Sequence, residues 1–244
     1  MSKLAGWLNN NRFADFYMPT RPGKWLSLSL AVLVSGCAVD NRMPNQPVYD
    51  GVTRLQMGIE YVGPDNQQLP AEQFTREIVL KFPLVPAGIF GVPRSRSLFF
   101  VQADDDLHFT LDLQENLSSV ESAARPLSRK WRSRGLTIEP ANTRLARLGT
   151  FPYHADTHRS LGGGGFINPV NRDTLILLYV DRPCEIRGQF TIEEEQFAHD
   201  LAFDRAGFHW IRISSPGPDK FKLVPYPDNG PALFSIHVMG VTAL

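Results

Sequence analysis

The sequence predicts an all-β fold, an antiparallel β-sandwich with one short helix. Three observations carry this reading. Apolar and polar residues alternate over short runs, most clearly at Leu107, Phe109, Leu111 and Leu113 against His108, Thr110 and Asp112, which is the period of a strand with one buried face. Proline, glycine, asparagine and aspartate interrupt the chain between such runs, as turns between strands require. A single segment, residues 116–125, has helical spacing and helical end signals. Many short strands and one helix point to a sandwich or barrel-like domain.

The N-terminal part is different in kind. Arg21 and Lys24 precede the apolar run from Trp25 to Val34, and Ser35, Gly36 and Cys37 follow it. A basic flank, an apolar stretch and small residues are the three parts of a secretory signal. As a helix the run would be about 15 Å long against a hydrocarbon core of ~30 Å, too short to span. Val34-Ser35-Gly36-Cys37 resembles the lipobox of bacterial lipoprotein precursors. The resemblance implies that residues 1–36 are a signal peptide and that Cys37 carries the lipid, palmitate included. It also implies that the protein works outside the cytoplasm. Ala38 stands where an Asp would favour retention in the inner membrane of a Gram-negative host, so the implied address is the periplasmic face of the outer membrane. Met18 opens Met-Pro-Thr-Arg-Pro-Gly-Lys directly before the run, which makes it the expected start of translation.

Removing residues 1–36 takes away Lys3, Arg12, Arg21 and Lys24 and one acid, Asp15. From 25 basic and 25 acidic side chains this leaves 21 and 24, a net charge of −3. That balance gives no overall attraction to nucleic acid. With Cys37 lipidated, Cys184 has no partner in the chain, so no disulfide framework is expected and Cys184 reads as a small buried apolar residue. Residues 37–52, with Asn41, Pro44, Asn45, Pro47, Asp50 and Gly51, read as the lipidated N-terminus and a flexible tether. Residues 53–244 form the β domain, long enough to bury a real core.

Within that domain Leu55, Met57, Ile59 and Tyr61 alternate before the break at Gly63-Pro64-Asp65-Asn66. Ile78 to Phe82 is a short apolar run ended by Pro83 and Pro86. Leu98–Val101 and Leu107–Leu113 flank Asp104-Asp105-Asp106 and form the leading hairpin candidate. In residues 116–125, Asn116 is a cap candidate, Ser118 and Glu121 have capping-box spacing, and Pro126 ends the helix,. Further strands are expected at 136–139, 145–153, 174–180, 185–192, 201–204, 208–214, 221–224 and 233–241. Residues 116–134 either divide two β units or form a long crossover within one.

Candidate chemistry is sparse. His154, Asp156 and His158 fall within five residues and are candidate metal ligands, but a loop placement removes the helical geometry of a zinc site. Gly162, Gly163, Gly164 and Gly165 lack the Lys-Ser or Lys-Thr pair of a phosphate loop,. They read as a mobile loop between strands and, with residues 154–168 around them, as a candidate contact for a partner. Arg125, Arg129, Lys130, Arg132, Arg134, Arg144 and Arg147 face only Glu139 in the same stretch, suiting lipid phosphates or an acidic partner. Trp131, if exposed between Arg129 and Arg132, adds a typical contact pairing. Asp104-Asp105-Asp106 and Glu193-Glu194-Glu195 read as solvated turns. His199, Asp200 and His209 near Ser214 and Ser215 lack the elbow motif of a hydrolase,. The expectation is a membrane-anchored envelope lipoprotein with a non-enzymatic role in protein interaction, as an assembly or accessory factor or an immunity-type inhibitor. It needs no cofactor, and its partners are the membrane, through Cys37, and an envelope protein. The alternatives are a glycan or small-ligand binding lipoprotein and a metal-dependent hydrolase.

Overall fold

A computed structural model describes residues 51–63, 67–86, 97–192 and 194–238. The signal segment, Met18, the lipobox with Cys37, and residues 38–50 of the tether lie outside the described residues. The tether does not extend to residue 52 as expected. Val52 is 7% exposed and its N–H donates to the Phe208 carbonyl at 2.7 Å, so it belongs to the core. Strand makes up 56% of the described residues and only one helix reaches seven residues, which establishes the all-β class.

The first strand, β1 (Arg54–Val62), turns Leu55, Met57, Ile59 and Tyr61 inward. It is followed by the two-residue β2 (Gln68–Leu69) and a 3₁₀ turn at Ala71–Gln73. β3 (Ile78–Pro86) continues through Pro83, one of the two prolines expected to end it, and has Pro86 as its last residue. The ladder tolerates Pro83 because its register shifts between Phe82 and Pro83, where β3 changes partner,. The expected hairpin does not form. β4 (Ser97–Gln102) pairs with β3, whereas β5 (His108–Asp112) pairs with β1. The aspartate run between them is a corner, with Asp104 Oδ1 accepting from the N–H groups of Asp106 and His108 at 3.1 and 2.7 Å.

The expected helix is α1 (Leu117–Ala123), which buries Val120 fully, as is Ala124 beyond its end. Asn116 sits at its N-cap without a side-chain cap bond. β6 (Arg125–Pro126) and a one-turn helix α2 (Arg129–Arg132) follow. Then come β7 (Thr137–Glu139), β8 (Arg144–Leu148) and β9 (Phe151–His154). The last two divide the single strand expected over 145–153. The remaining strands are β10 (Gly163–Ile167), β11 (Thr174–Val180), β12 (Cys184–Ile192), β13 (Glu195–Phe203), β14 (Gly207–Gly217), β15 (Lys220–Pro225) and β16 (Leu233–His237). Glu195, expected in a solvated turn, starts β13 and is 7% exposed. Its place on the inward phase of that strand, with Phe197, Leu201 and Phe203, accounts for this.

The sheet is mostly antiparallel, with parallel contacts between β1 and β16 and between β13 and β15. It forks at β11, whose one edge pairs with β14 and whose other edge pairs with β10 at Leu175 and β8 at Leu178. One branch runs β10–β16–β1–β5 and the other β8–β3, with β4 and β9 on either side of β3. These branches enclose a first core that includes Phe82, Phe109, Phe166, Trp210 and Phe234. On the far side of β14 the strands β15, β13, β12 and β7 curl around a second core that includes Phe190, Phe197, Phe221 and Trp131. The chain passes from the first core to the second between Ala124 and Leu127. β11 serves both cores, sending Leu175, Leu177 and Tyr179 one way and Ile176, Leu178 and Val180 the other, as the period of a strand dictates.

Candidate functional site

The four glycines are not a protruding loop. Gly163, Gly164 and Gly165 lie in β10, paired with His237, Ile236 and Ser235 of β16. Two of the four are explained by local sterics. Gly162 has φ +121° and a Cβ there would sit 2.3 Å from the His237 carbonyl oxygen, so only glycine fits. A Cβ on Gly164 would lie 2.8 Å from the Phe234 ring and from Pro152. At Gly165 a Cβ would meet nothing within 4 Å, so this part of β10 presents bare backbone to open space.

β10 abuts β9. Thr150 Oγ1 donates to the Gly164 carbonyl at 2.6 Å, and the Leu161 N–H donates to the Pro152 carbonyl at 3.0 Å. β9 in turn is the outer neighbour of β3, which pairs on its other side with β4. Register sets Phe100, Lys81 and Phe151 in one row and Gln102, Val79 and Tyr153 in the next. The alternate residues Ile78, Leu80, Phe82 and Phe99 are buried, so these two rows face outward. Phe100 is 61% exposed, while Val79, Lys81, Phe151 and Tyr153 are half-buried. Lys81 Nζ lies 4.2 Å from the centre of the Tyr153 ring, a cation–π distance. Aromatic carbon around one ammonium on a flat sheet face suits contact with another surface. Sequence reasoning missed this face. Its only signal was the Phe99-Phe100 doublet, which must place one ring outside a strand.

Several buried polar side chains are engaged within the protein. Glu60 and Arg172 form a two-point ion pair at 2.6 and 2.9 Å across β1 and the turn before β11. Ser235 Oγ donates to the Gly165 carbonyl at 3.2 Å and lies 3.3 Å from His237 Nε2. The hydroxyl is thus shared between a backbone carbonyl and the ring. Burial, with the Arg172 charge, holds His237 below the usual imidazole range, against the opposing pull of Glu60. His199 faces the second core with its ring 5.2 Å from Phe190, and burial pushes it down to about 4. Its neighbour Asp200 points outward to Arg187 at 3.1 Å. Ser214 and Ser215 donate to the carbonyls of Lys222 and Gly217. Cys184 is 5% exposed, and burial pushes its thiol up to about 12, so it packs as a small apolar side chain.

A cleft of about 350 Å³ opens between the β13–β14 turn and the loop after β15, lined by Phe203, Arg205, His209, Tyr226 and Asp228 among others. His209 stacks on Phe203 at 4.8 Å. Its Nδ1 lies 3.2 Å from Asp228 Oδ2 and its Nε2 3.1 Å from the Arg205 carbonyl. Each ring nitrogen thus lies within hydrogen-bond distance of an acceptor inside the protein,.

His154, Asp156 and His158 occupy a tight turn closed by the His158 N–H on the His154 carbonyl at 3.0 Å. His154 Nδ1 accepts from the Asp156 N–H, and its Nε2 lies 3.7 Å from Glu77. Among the described residues no three His, Cys, Asp or Glu side chains converge on a metal position. Arg129 and Arg132 are exposed on α2, but Trp131 is 9% exposed and packs on Phe190 at 5.0 Å. The expectation of an exposed Trp is therefore corrected. The helical turn sends residue 131 inward while its basic neighbours point to solvent, so the pairing argument falls and the charges remain. No protein-family model, curated protein or solved structure matches the chain.

Proposed function

We propose that the chain is a lipid-anchored envelope protein that holds a protein partner without catalysing a reaction, as an assembly or accessory factor or an immunity-type inhibitor. The observation that carries this reading is the outward face of β4, β3 and β9, where Phe100, Phe151 and Tyr153 surround Lys81 beside the glycine strand. A central aromatic cluster with one charge is the composition of an interface anchor. The internal engagement of His209 and Ser235 supports a role other than acid–base chemistry. Photo-crosslinkers placed at Phe100 and Phe151, in cells, are expected to trap one discrete protein adduct. The same crosslinker at Thr137, exposed on β7 beside the second core, is expected to trap none. Equal adducts at all three positions, or none, would sink the proposal. Mass spectrometry of the native protein is expected to find diacylglycerol and acyl chains on Cys37; an unmodified thiol there would remove the anchor. A second reading, binding of glycan or another small ligand, is favoured by the aromatic-lined cleft around His209 and Tyr226. Thermal stabilisation by envelope glycan fragments, lost in Tyr226→Ala, would support it.

A further inference from the structure

The described chain enters the domain at Gly51, where the Val52 N–H bonds to Phe208 and Gly207 approaches the Gly51 backbone. Register carries this point across the sheet. Gly207 pairs with Val180, Val180 with Leu145, and Leu145 with Arg125. Three strand spacings set Arg125 about 14 Å from Gly207 along the sheet, with Gly51 one step beyond,. β6 leaves the sheet at this end and leads into α2. Arg132 Nη2 donates to the Ala141 carbonyl at 3.2 Å, in the segment that returns to β8 at the same end. Arg125 therefore lies at the end of the domain at which the N-terminal segment arrives, and the basic residues Arg129, Lys130, Arg132 and Arg134 extend from it along β12, where Trp131 packs on Phe190. All five are exposed, and among the described residues no carboxylate lies within 4.0 Å of any of them. Arg144 and Arg182, at the same end, instead share Asp181. Two of the unpaired guanidiniums are already positioned, Arg125 by the carbonyls of Ser122 and Ala124 and Arg134 over the Trp131 ring at 5.3 Å. Less side-chain freedom is then lost on contact. Thirteen residues separate Cys37 from Gly51.

We propose that this basic flank, which starts at Arg125 near the point of entry, docks on a phosphate-bearing lipid surface, with Arg125, Arg129, Lys130, Arg132 and Arg134 meeting the headgroup phosphates. The direction of approach rests on the lipid anchor at Cys37; the charges stand without it. Docking would leave the aromatic face of β4, β3 and β9 for a protein partner.

The test uses the full chain carrying Cys37→Ser, with vesicles of phosphatidylcholine alone or mixed with phosphatidylglycerol. The apolar run at residues 25–34 meets both vesicles alike, so the difference between them reports charge. The wild-type domain is expected to bind the phosphatidylglycerol vesicles at least about tenfold more tightly, and to lose that preference in high salt. The variant R129E/K130E/R132E/R134E is expected to lose it as well, and R159E/K220E to keep it. If the fourfold variant melts early, R129E/K130E alone is expected to reduce the preference severalfold. No preference in the wild type, or a preference that survives both reversals, overturns the proposal. Binding to polyglutamate without binding to phosphatidylglycerol also overturns it and assigns the surface to an acidic protein. An unmodified Cys37 in the native protein overturns the anchor alone, and the vesicle result then stands by itself.

Discussion

Asp181→Asn tests how the two cores are held at their common end. The Asp181 side chain is 4% exposed. Oδ1 accepts from the Arg144 backbone N–H at 2.9 Å and Arg182 Nε at 3.1 Å; Oδ2 accepts from Arg144 Nε at 2.9 Å and Arg182 Nη2 at 3.1 Å. Both arginines are about two-fifths exposed, so water screens their share to under about 1 kcal/mol each. The buried backbone bond to a charged acceptor adds about 1.5 kcal/mol. The substitution is therefore expected to cost about 3 kcal/mol, or about 6–12 °C of melting temperature for a domain of this size. The effect should depend on pH. Burial pushes the Asp181 carboxyl up, but the hydrogen bonds from Arg182 and Arg144 outweigh it and hold it below its usual range. A depressed carboxyl stabilises the folded state above its unfolded pKa of ~3.9 and loses that stabilisation as pH falls toward the folded value. Melting curves followed by circular dichroism should show the gap between wild type and variant wide near neutrality and closing in acid. A difference under about 2 °C at neutral pH, or one that persists unchanged near pH 2.5, would refute the reasoning.

Gly188→Ala is expected to cost at least ~3 kcal/mol in chemical denaturation, because φ is +129° and a Cβ there would lie 2.1 Å from the Gly135 carbonyl oxygen,. In the glycine strand, Gly164→Ala is expected to cost ~1–3 kcal/mol against the Phe234 ring and Pro152,, while Gly165→Ala should stay within ~0.5 kcal/mol. Equal losses would show that the two glycines are not held by different constraints. Phe100→Ser should leave the melting temperature within about 2 °C of wild type while abolishing the crosslinked adduct at Phe151. A large drop in melting temperature would mean that this ring is structural.

What the sequence made legible was local. The run from Thr174 to Val180 reads as a strand because seven consecutive β-forming residues need no partner to be recognised, and β11 has those bounds. Pairing is a property of distant residues, and there the reading failed. Leu98–Val101 and Leu107–Leu113 look like a hairpin because the aspartates between them make a turn. The turn is real, but it sends each strand to a different partner. The glycine run looks mobile on composition, yet β16 supplies its ladder from about 70 residues away. Trp131 reads as exposed because its neighbours are basic, whereas a single helical turn over the second core reverses its direction. The aromatic face was illegible for the same reason, since Phe100 and Tyr153 are brought together only by β3 between them.

The place of β16 has a consequence for the order of assembly. This strand is inserted between β1 and β10, with Phe234 beside Ile59 on one side and Phe166 on the other. The wall of the first core therefore stays open until about 175 residues after Ile59 have been delivered, and such long-range closure is slow. A chain delivered from its N-terminus, whether by synthesis or by export, would keep the edges of β1 and β10 unpaired until β16 arrives. A truncation that removes residues 233–237 should then behave as a degradation signal, leaving a proteolytic trace in place of a smaller stable domain.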